Sequence, residues 1–495
     1  MLLALALVAC AASCCLGLPI SSAADALHST APPFKLLVPA AALPIPTPEQ
    51  LRYAGSISAL IHFGMATFFH DGDPGCDRQN WNGCDPNGGC NSSDVRSFDP
   101  SNLNVSNWVQ SFVDLGATSA VLTAKHGCGF LAWRTNTTLP DGREYPYHVA
   151  EDQQVARQFV AATSAAGIGY GFYYSLTNNF FLNARDHVVQ PASSLLPGQA
   201  NVTQQQFEDI ALAQVTELWT DFGNLTEIWL DGGCGRICDK VGALVRKLQP
   251  TAVVFNGQGV SDSPVRWCGT ESGDPVPIGG AVWSTAACSD VACLGSGSPP
   301  NTSGATWQPS GVDVTLQQGD RWFYMPGQKI HPLADLVSFY HRSVGMNGHL
   351  EIDFAISRTG QIDAVHSAAY KRFGDWIRSC YGSPVASGSL AHGQTSFILP
   401  LPAGGGTIDR VLLQEDQTHG QLIASYTVDV MVLGAWLPFS SGVSVGKKRI
   451  DIGARVVATM VRVSVAEAWA VPTGLFAAVF SPEGCRMEPF EYPTE

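Results

Sequence analysis

The strongest chemical feature of the sequence is a carboxylate at the end of a short apolar run. In Glu227-Ile228-Trp229-Leu230-Asp231-Gly232-Gly233 the apolar residues predict a strand, and Asp231 stands at its carboxyl end. The two glycines allow the backbone to turn away, so that the carboxylate stays accessible. Trp229 precedes it on the same strand face, where it could wall a pocket. Asp231 is thus a candidate catalytic carboxylate, and the alternative is a strand-ending Asp that caps the next helix.

A second carboxylate, Glu271, follows forty residues later in Arg266-Trp267-Cys268-Gly269-Thr270-Glu271-Ser272-Gly273. Retaining hydrolysis of a glycosidic bond uses two carboxylates about 5–5.5 Å apart. The intervening chain leaves room for a helix and one or two strands, so the two acids can come from different strands around one pocket. Nearby tryptophans, Trp229, Trp267 and Trp283, would suit the apolar face of a sugar.

Short apolar runs alternate with helix-like stretches along most of the chain. This alternation favours a (β/α)8-like barrel over residues 49–382, in which functional groups lie at the carboxyl ends of the strands. His62, His126, Tyr174 and Asp231 stand at or just past such ends. The strand-like runs are 57–62, 117–124, 168–174, 227–231 and 252–256, and the helix-like stretches are 105–115, 155–166, 206–222 and 238–248.

The sequence pattern changes near residue 383. From there on, β-rich runs with Gly and Pro turns and no long helix predict an antiparallel β-sandwich over residues 383–495. Residues 27–48 are rich in Pro and Ala and are predicted to form a linker. The expected fold class is therefore α/β, a barrel followed by a C-terminal β-sandwich.

Composition and charge restrict the class of partner. The chain has 28 basic and 42 acidic residues, a net charge of −14, and no basic cluster, which argues against nucleic acid or an anionic membrane as a partner. Its 45% hydrophobic residues exclude a disordered chain. Composition says nothing about the oligomeric state.

The amino terminus predicts export from the cytosol. Residues 1–26 combine an apolar run with small residues and are predicted to be a signal peptide. Leu7–Cys10 could alternatively be a bacterial lipid-attachment box. Six Asn-X-Ser/Thr acceptors instead favour a eukaryotic secretory route to the cell wall, vacuole, lysosome-like compartment or medium. These acceptors are Asn91, Asn104, Asn136, Asn201, Asn224 and Asn301.

The cysteines predict disulfides and no metal site. Removal of residues 1–26 leaves 11 of the 14 cysteines, an odd number that requires a free thiol or an intermolecular bond. No pair has the spacing of a zinc site, and the acidic residues of 71–77 fall out of register for a calcium loop. The clusters expected to staple loops are Cys76/Cys84/Cys90, Cys234/Cys238 and Cys288/Cys293.

Six motifs, taken together, resemble one known family. They occur in family order, and the chain resembles the α-L-fucosidases of glycoside hydrolase family 29, more closely their plant-like branch. The likeness runs from about residue 51 through the β-rich region. The motifs are Ile61-His62-Phe63-Gly64, Thr123-Ala124-Lys125-His126-Gly127-Cys128-Gly129-Phe130, Gly171-Phe172-Tyr173-Tyr174-Ser175, Trp229-Leu230-Asp231-Gly232, Trp267-Cys268-Gly269-Thr270-Glu271-Ser272-Gly273 and Ser343-Val344-Gly345-Met346-Asn347-Gly348.

The resemblance implies a role for each candidate residue. Asp231 would be the nucleophile and Glu271 the acid/base of a retaining mechanism that needs no metal and no cofactor. It also implies exo-removal of terminal fucose from an oligosaccharide or glycoprotein, with α1,3 and α1,4 linkages favoured. The residues expected to contact the substrate are His62, Trp81, His126, Tyr174, Trp229 and, on its proximity in the sequence, Trp283.

Departures from the family pattern keep rival functions open. Gly127 replaces a second histidine of the family motif, and Gly311 stands where the more widespread branch has a glutamate. Glu351 and Asp353 occupy positions that are mostly apolar in the family. The main alternative is a catalytically impaired, fucose-binding lectin on the same scaffold. A hydrolase of another six-carbon sugar and a metal-dependent barrel hydrolase are the other two.

Overall fold

Eight parallel strands close into a barrel in the computed structural model of the chain. The structure describes residues 33–38, 42–69, 76, 81, 92–257, 259–267, 271, 273, 283–285 and 305–485. Each barrel strand pairs in parallel with the next, and the last returns to the first. The predicted barrel is confirmed. Its strands are β1 (Ile57–His62), β2 (Ser119–Lys125), β3 (Gly169–Ser175), β4 (Glu227–Asp231), β5 (Val253–Phe255), β6 (Pro264–Trp267), β7 (Ser310–Val314) and β8 (Gly348–Ala355).

Helices cover the outside of the barrel. The connections from β1 to β5, the one between β7 and β8 and the segment after β8 each carry one α-helix, whereas the described residues between β5 and β6 and between β6 and β7 contain none. Capping boxes, Thr47 with Gln50 and Thr203 with Gln206, start two of the helices. The helices are α1 (Pro48–Tyr53) before β1, then α2 (Val105–Leu115), α3 (Val155–Ala165), α4 (Gln204–Thr220), α5 (Cys238–Leu248), α6 (Leu333–Arg342) and α7 (Ala364–Tyr381).

Alternation along the strands separates two apolar cores. Side chains that face outward, such as Phe172 and Ile228, pack against the helices. Side chains that face inward form a separate cluster inside the barrel, which includes Tyr53, Tyr173, Trp229 and Phe255. The interior cluster is the support on which groups at the carboxyl ends of the strands rest.

Two antiparallel sheets follow the barrel, in agreement with the predicted sandwich. Their apolar inner faces form a core of their own, with Val411, Val428 and Val463 fully buried. One sheet has the order β9–β16–β11–β14, and in the other β15 pairs with β10 and β12, which pairs in turn with β13. These strands are β9 (Ala386–Ser389), β10 (Ser396–Pro400), β11 (Gly406–Glu415), β12 (Ile423–Val432), β13 (Ala435–Gly442), β14 (Arg449–Ala458), β15 (Met460–Ala468) and β16 (Leu475–Phe480).

Residues near both chain ends attach to this framework. Within the segment predicted to be a linker, Lys35–Leu36 pairs in parallel with β15, whereas residues 1–26 lie outside the described residues. Cys380 at the end of α7 is disulfide-bonded to Cys485, beyond β16. No helix in the described part of the chain is both long and apolar enough to cross a membrane.

Disulfides also form at two of the predicted cysteine clusters. Cys234 pairs with Cys238, as expected, between β4 and α5. Cys76 pairs with Cys128, just after β2, and not within its own cluster. Cys84, Cys90, Cys288 and Cys293 lie outside the described residues.

Candidate active site

Asp231 ends β4 at the carboxyl end of the barrel. The Tyr173 hydroxyl donates a hydrogen bond to Asp231 Oδ2 at 2.6 Å, and the Thr177 hydroxyl donates to the Asp231 main-chain oxygen at 2.7 Å. Gly232 follows with φ +67°, and a Cβ there would lie 2.1 Å from Thr177 Oγ1. The turn after Asp231 therefore requires glycine. The Tyr173 hydroxyl orients the carboxylate, and the Thr177 hydroxyl holds the main chain of the same residue.

His62, the last residue of β1, is buried beside a carboxylate. Its Nδ1 lies 2.8 Å from Asp353 Oδ1 on β8. Burial lowers the pKa of His62 well below its usual range, and the neighbouring His126 adds to this effect. A neutral imidazole that donates a hydrogen bond from Nδ1–H to Asp353 presents Nε2 as a hydrogen-bond acceptor. Such an acceptor suits the hydroxyl of a sugar.

His126, just after β2, lies beside His62 and above Tyr173. The His126 ring stacks on the Tyr173 ring with centroids 5.7 Å apart, and the two histidine rings are 5.9 Å apart. Phe323 meets both histidines edge-on at 5.1 and 5.2 Å, and Trp322 lies 5.1 Å from His62. Nδ1 of His126 is buried and has no hydrogen-bond partner among the residues that the structure describes. These side chains form one aromatic wall next to Asp231.

Glu271 is partly exposed and lies close enough to Asp231 for the two carboxyl groups to interact electrostatically. Burial raises the pKa of Glu271, and the carboxylates of Asp320 and Asp231 raise it further. Glu271 therefore keeps its proton to a higher pH than an ordinary glutamate does. The structure thus brings together the two acids that the sequence singled out, with the pKa of Glu271 shifted in the direction that a proton donor needs.

Asp313 on β7 is a third carboxyl group near the site, and the sequence analysis did not propose it as a functional residue. The Trp267 indole donates to Asp313 Oδ1 at 2.9 Å. Burial raises the pKa of Asp313 to about 8, against the opposing hydrogen bond from Trp267. Asp313 is therefore expected to keep its proton below about pH 8.

The expectation for Tyr174 needs correction, because its neighbour Tyr173 faces the site. Tyr174 points out of the barrel, where its hydroxyl donates to Gln214 Oε1 at 2.6 Å and the Lys125 ammonium lies 4.8 Å from its ring centre. Successive side chains of a strand face opposite sides, so only one of two adjacent tyrosines can enter the barrel. The pairing of Tyr173 with Trp229 in register selects Tyr173.

Two of the predicted tryptophans occupy supporting positions, and a third is only partly described. Trp81 is fully buried between Tyr147 and Phe180, and its indole donates to the Pro197 carbonyl at 2.9 Å. This corrects the expectation that Trp81 contacts substrate, because its ring is covered by these neighbours and its N–H is already hydrogen-bonded. Trp229 lies inside the barrel, stacked under Tyr173 with ring centroids 5.0 Å apart.

Trp283 can be placed by its backbone alone. It lies in a two-stranded antiparallel sheet in which Trp283–Thr285 pairs with Ala305–Trp307. Its side chain lies outside the described residues. Its predicted contact with substrate therefore stays a prediction.

Comparison with known proteins agrees with this geometry. A model of the family described as Alpha-L-fucosidase matches residues 91–382, more than half of the chain. The chain belongs to the α-L-fucosidase family. The match confirms the resemblance seen in the sequence and makes the protein a glycoside hydrolase.

Known α-L-fucosidases align with most of the chain. The chain is 26% identical over 458 residues to alpha-L-fucosidase 1 of Arabidopsis thaliana, and the alignment covers 83% of this chain and 82% of that protein, in line with the plant-like branch. A Bacteroides thetaiotaomicron crystal structure assigned as an α-L-fucosidase is 28% identical with a TM-score of 0.74, covering 88% of this chain and 99% of its own. A Ruminococcus gnavus GH29 fucosidase in complex with fucose is 17% identical with a TM-score of 0.68, covering 92% and 97%, a likeness of fold.

The two adjacent tyrosines provide a matched test of the site. Tyr173→Phe removes the hydrogen bond to Asp231 and should lower kcat/KM for fucoside hydrolysis by about 10- to 100-fold, because hydrogen bonds to charged groups contribute about 1.5–3 kcal/mol. Tyr174→Phe removes an equal hydroxyl outside the barrel and should cost about 1 kcal/mol of folding free energy with activity within about twofold of wild type. Steady-state kinetics and thermal unfolding of both variants measure this. Loss of activity in Tyr174→Phe with Tyr173→Phe unaffected would reverse the assignment.

Proposed function

We propose that the protein is a retaining, exo-acting α-L-fucosidase that removes terminal α-linked fucose through a covalent fucosyl-enzyme intermediate. In this proposal Asp231 is the nucleophile and Glu271 the acid/base. The observation that supports it most is that the two groups lie close enough to interact electrostatically. One carboxylate is held by Tyr173, and its charge helps to raise the pKa of the nearby Glu271.

The proposed reaction divides the chemistry between the two acids. The Asp231 carboxylate attacks the anomeric carbon while Glu271 protonates the departing glycosidic oxygen, which breaks the bond to the aglycone. The resulting Glu271 carboxylate then deprotonates a water molecule that attacks the same carbon and releases Asp231. Two inversions give fucose with retained configuration. Glu271 must begin protonated and Asp231 ionised, and the raised pKa of Glu271 favours this division.

The histidines are proposed to hold the sugar hydroxyls. Burial lowers the pKa of both His62 and His126, which favours neutral rings. His62, with its Nδ1 on Asp353, offers Nε2 as an acceptor, whereas a neutral His126 offers one acceptor and one donor nitrogen. Neutral rings also add no positive charge next to a transition state in which the sugar ring itself becomes positive. Phe323 and Trp322 close the same side with apolar surface, which suits the methyl group and apolar face of fucose.

The proposed substrate is a fucosylated oligosaccharide or glycoprotein with α1,3- or α1,4-linked fucose, met outside the cytosol. Support for the compartment comes from the predicted signal peptide and from the disulfides, which persist in oxidising compartments. The glycan acceptors that the structure describes are exposed, as glycosylation requires. They are Asn104, Asn136, Asn201 and Asn224.

Azide rescue separates the proposed roles of the two acids. Asp231→Ala should lower kcat for α-L-fucosyl fluoride by at least about 10³-fold, and azide should restore turnover by direct displacement, giving the β-fucosyl azide. Glu271→Ala still forms the fucosyl-enzyme from this substrate, and azide should give the α-fucosyl azide. Nuclear magnetic resonance of the products distinguishes the two anomers.

An exposed aspartate supplies the control for that experiment. Asp239→Ala makes the same substitution on the exposed first turn of α5 and should leave kcat within about twofold of wild type. Thermal midpoints of all three variants should stay within about 4 °C of wild type. An α-azide from Asp231→Ala, or a β-azide from Glu271→Ala, would contradict the assignment.

A panel of oligosaccharides tests the substrate. Wild type should release fucose from α1,3- and α1,4-linked acceptors faster than from α1,2- and α1,6-linked ones, with Asp231→Ala inactive on all four, as chromatography of free fucose would show. Faster release from α1,2 or α1,6 linkages would contradict the linkage preference. No release from any of them, with fucose still bound in calorimetry, would instead establish the lectin alternative.

A further inference from the structure

The floor of the barrel carries two carboxyl groups that the proposed chemistry does not use. Glu227 at the start of β4 and Glu351 on β8 are both fully buried, and together with His349 they present polar atoms within 4.8 Å of one another. The Tyr53 hydroxyl donates to Glu351 Oε1 at 2.7 Å, and the Trp229 indole donates to Glu351 Oε2 at 2.9 Å. Glu351 therefore accepts a hydrogen bond on each of its oxygens.

Two buried carboxyl groups in contact cannot both be ionised. Burial raises the pKa of Glu227 well above its usual range, and the charge of Glu351 raises it further. Burial also raises the pKa of Glu351, but its hydrogen bonds from Tyr53 and Trp229 oppose this effect. Of the two carboxyl groups, Glu351 is therefore the better placed to carry a charge, because it accepts a hydrogen bond on each oxygen.

A divalent metal could in principle neutralise the same cluster, but His349 does not fit the role of a ligand. Its Nε2 lies 2.8 Å from Ser58 Oγ, and its Nδ1 lies 2.9 Å from Ser56 Oγ and 3.0 Å from the Tyr53 carbonyl. The ring is also stacked on Tyr53 with centroids 3.7 Å apart. Both ring nitrogens are thus engaged within the protein, so His349 has no nitrogen to offer a metal.

A continuous column of contacts joins this floor to the proposed nucleophile. Glu351 accepts the Trp229 N–H, and the Trp229 ring is stacked between Phe255 at 4.5 Å and Tyr173 at 5.0 Å. The Tyr173 hydroxyl in turn donates to Asp231 Oδ2. An indole can rotate about its side-chain bonds unless its N–H is held, so its single polar contact determines the plane on which Tyr173 rests.

We propose that Glu351 is a positioning residue, which accepts the Trp229 N–H and so holds Trp229 in the plane that places Tyr173 under Asp231. This inference rests on the proposed role of Asp231 as nucleophile. It also gives a reason for a glutamate on β8 where an apolar residue would otherwise complete the interior of the barrel.

The same substitution at the two members of the pair tests this role. Glu351→Leu removes the acceptor of the Trp229 N–H. Glu227→Leu makes the same change of side chain at the neighbouring buried carboxyl group and leaves that acceptor in place. The probe is 2-deoxy-2-fluoro-L-fucosyl fluoride, which traps the glycosyl-enzyme, and intact-protein mass spectrometry gives both the rate constant and the final fraction of labelling. We expect labelling about tenfold slower in Glu351→Leu, within about twofold of wild type in Glu227→Leu, and complete in both.

Conservative variants separate positioning from folding. Glu351→Gln keeps an oxygen that can accept the Trp229 N–H and should recover most of the wild-type rate. Trp229→Phe removes the same hydrogen bond from the other side and should label as slowly as Glu351→Leu, with no further loss in the double variant. Trp229→Phe therefore decides the question if Glu351→Leu does not fold.

Three results would overturn the proposal. Wild-type labelling rates in Glu351→Leu and Trp229→Phe would show that the hydrogen bond does not act on Asp231. A smaller labelled fraction at the wild-type rate would show a role in stability alone. Equal slowing in Glu227→Leu, with one equivalent of metal in wild type by elemental analysis and none in that variant, would assign the cluster to a metal. Failure of wild type itself to label would refute the proposed function, a separate outcome.

Discussion

A closed barrel interior excludes water, so every carboxyl group buried in it must keep its proton or find a donor. This chain places several there, and each meets the constraint differently. Asp353 is paired with a histidine, Asp313 has its pKa raised to about 8, Glu351 accepts two hydrogen bonds, and burial raises the pKa of Glu227. Asp231, at the rim, is by contrast partly open to solvent. The position of the proposed nucleophile thus follows from where the barrel ends.

One strand links the buried and the reactive ends of this arrangement. Glu227, Trp229 and Asp231 occupy every second position of β4 and all face inward, so that the floor carboxyl group, the supporting indole and the proposed nucleophile follow one another at intervals of two residues. Parallel pairing with β3 sets Tyr173 beside Trp229. The aromatic stack is therefore a direct product of strand register, and a shift of one residue would turn the whole set outward.

The sequence predicted much of this architecture, and strand alternation explains part of what it missed. The alternating runs predicted the barrel, and the Asp-Gly-Gly ending of β4 predicted an accessible acid. Tyr173 and Tyr174 could not be separated from sequence alone, because both are buried, one by the barrel interior and the other by the helices. Once the register between β3 and β4 is known, the two can be separated, because Tyr173 lies beside the inward-facing Trp229 and Tyr174 beside the outward-facing Leu230.

Loop contacts were beyond prediction for a different reason. Trp81 stands in a cysteine-rich insertion with no regular pattern, and its burial depends on distant residues such as Phe180 and Pro197. Likewise, spacing groups Cys76 with Cys84 and Cys90, but the structure pairs it with Cys128 across 52 residues. Disulfide partners and loop packing are set by three-dimensional proximity, which local sequence does not encode.

The identity of the residue that carries the sugar tests the account most directly. After wild-type protein is trapped with the fluorofucosyl fluoride, proteolysis and tandem mass spectrometry locate the modified residue. We expect one fluorofucosyl group on Asp231, the last residue of β4. A label on Glu271, Asp313 or any other carboxylate would contradict it.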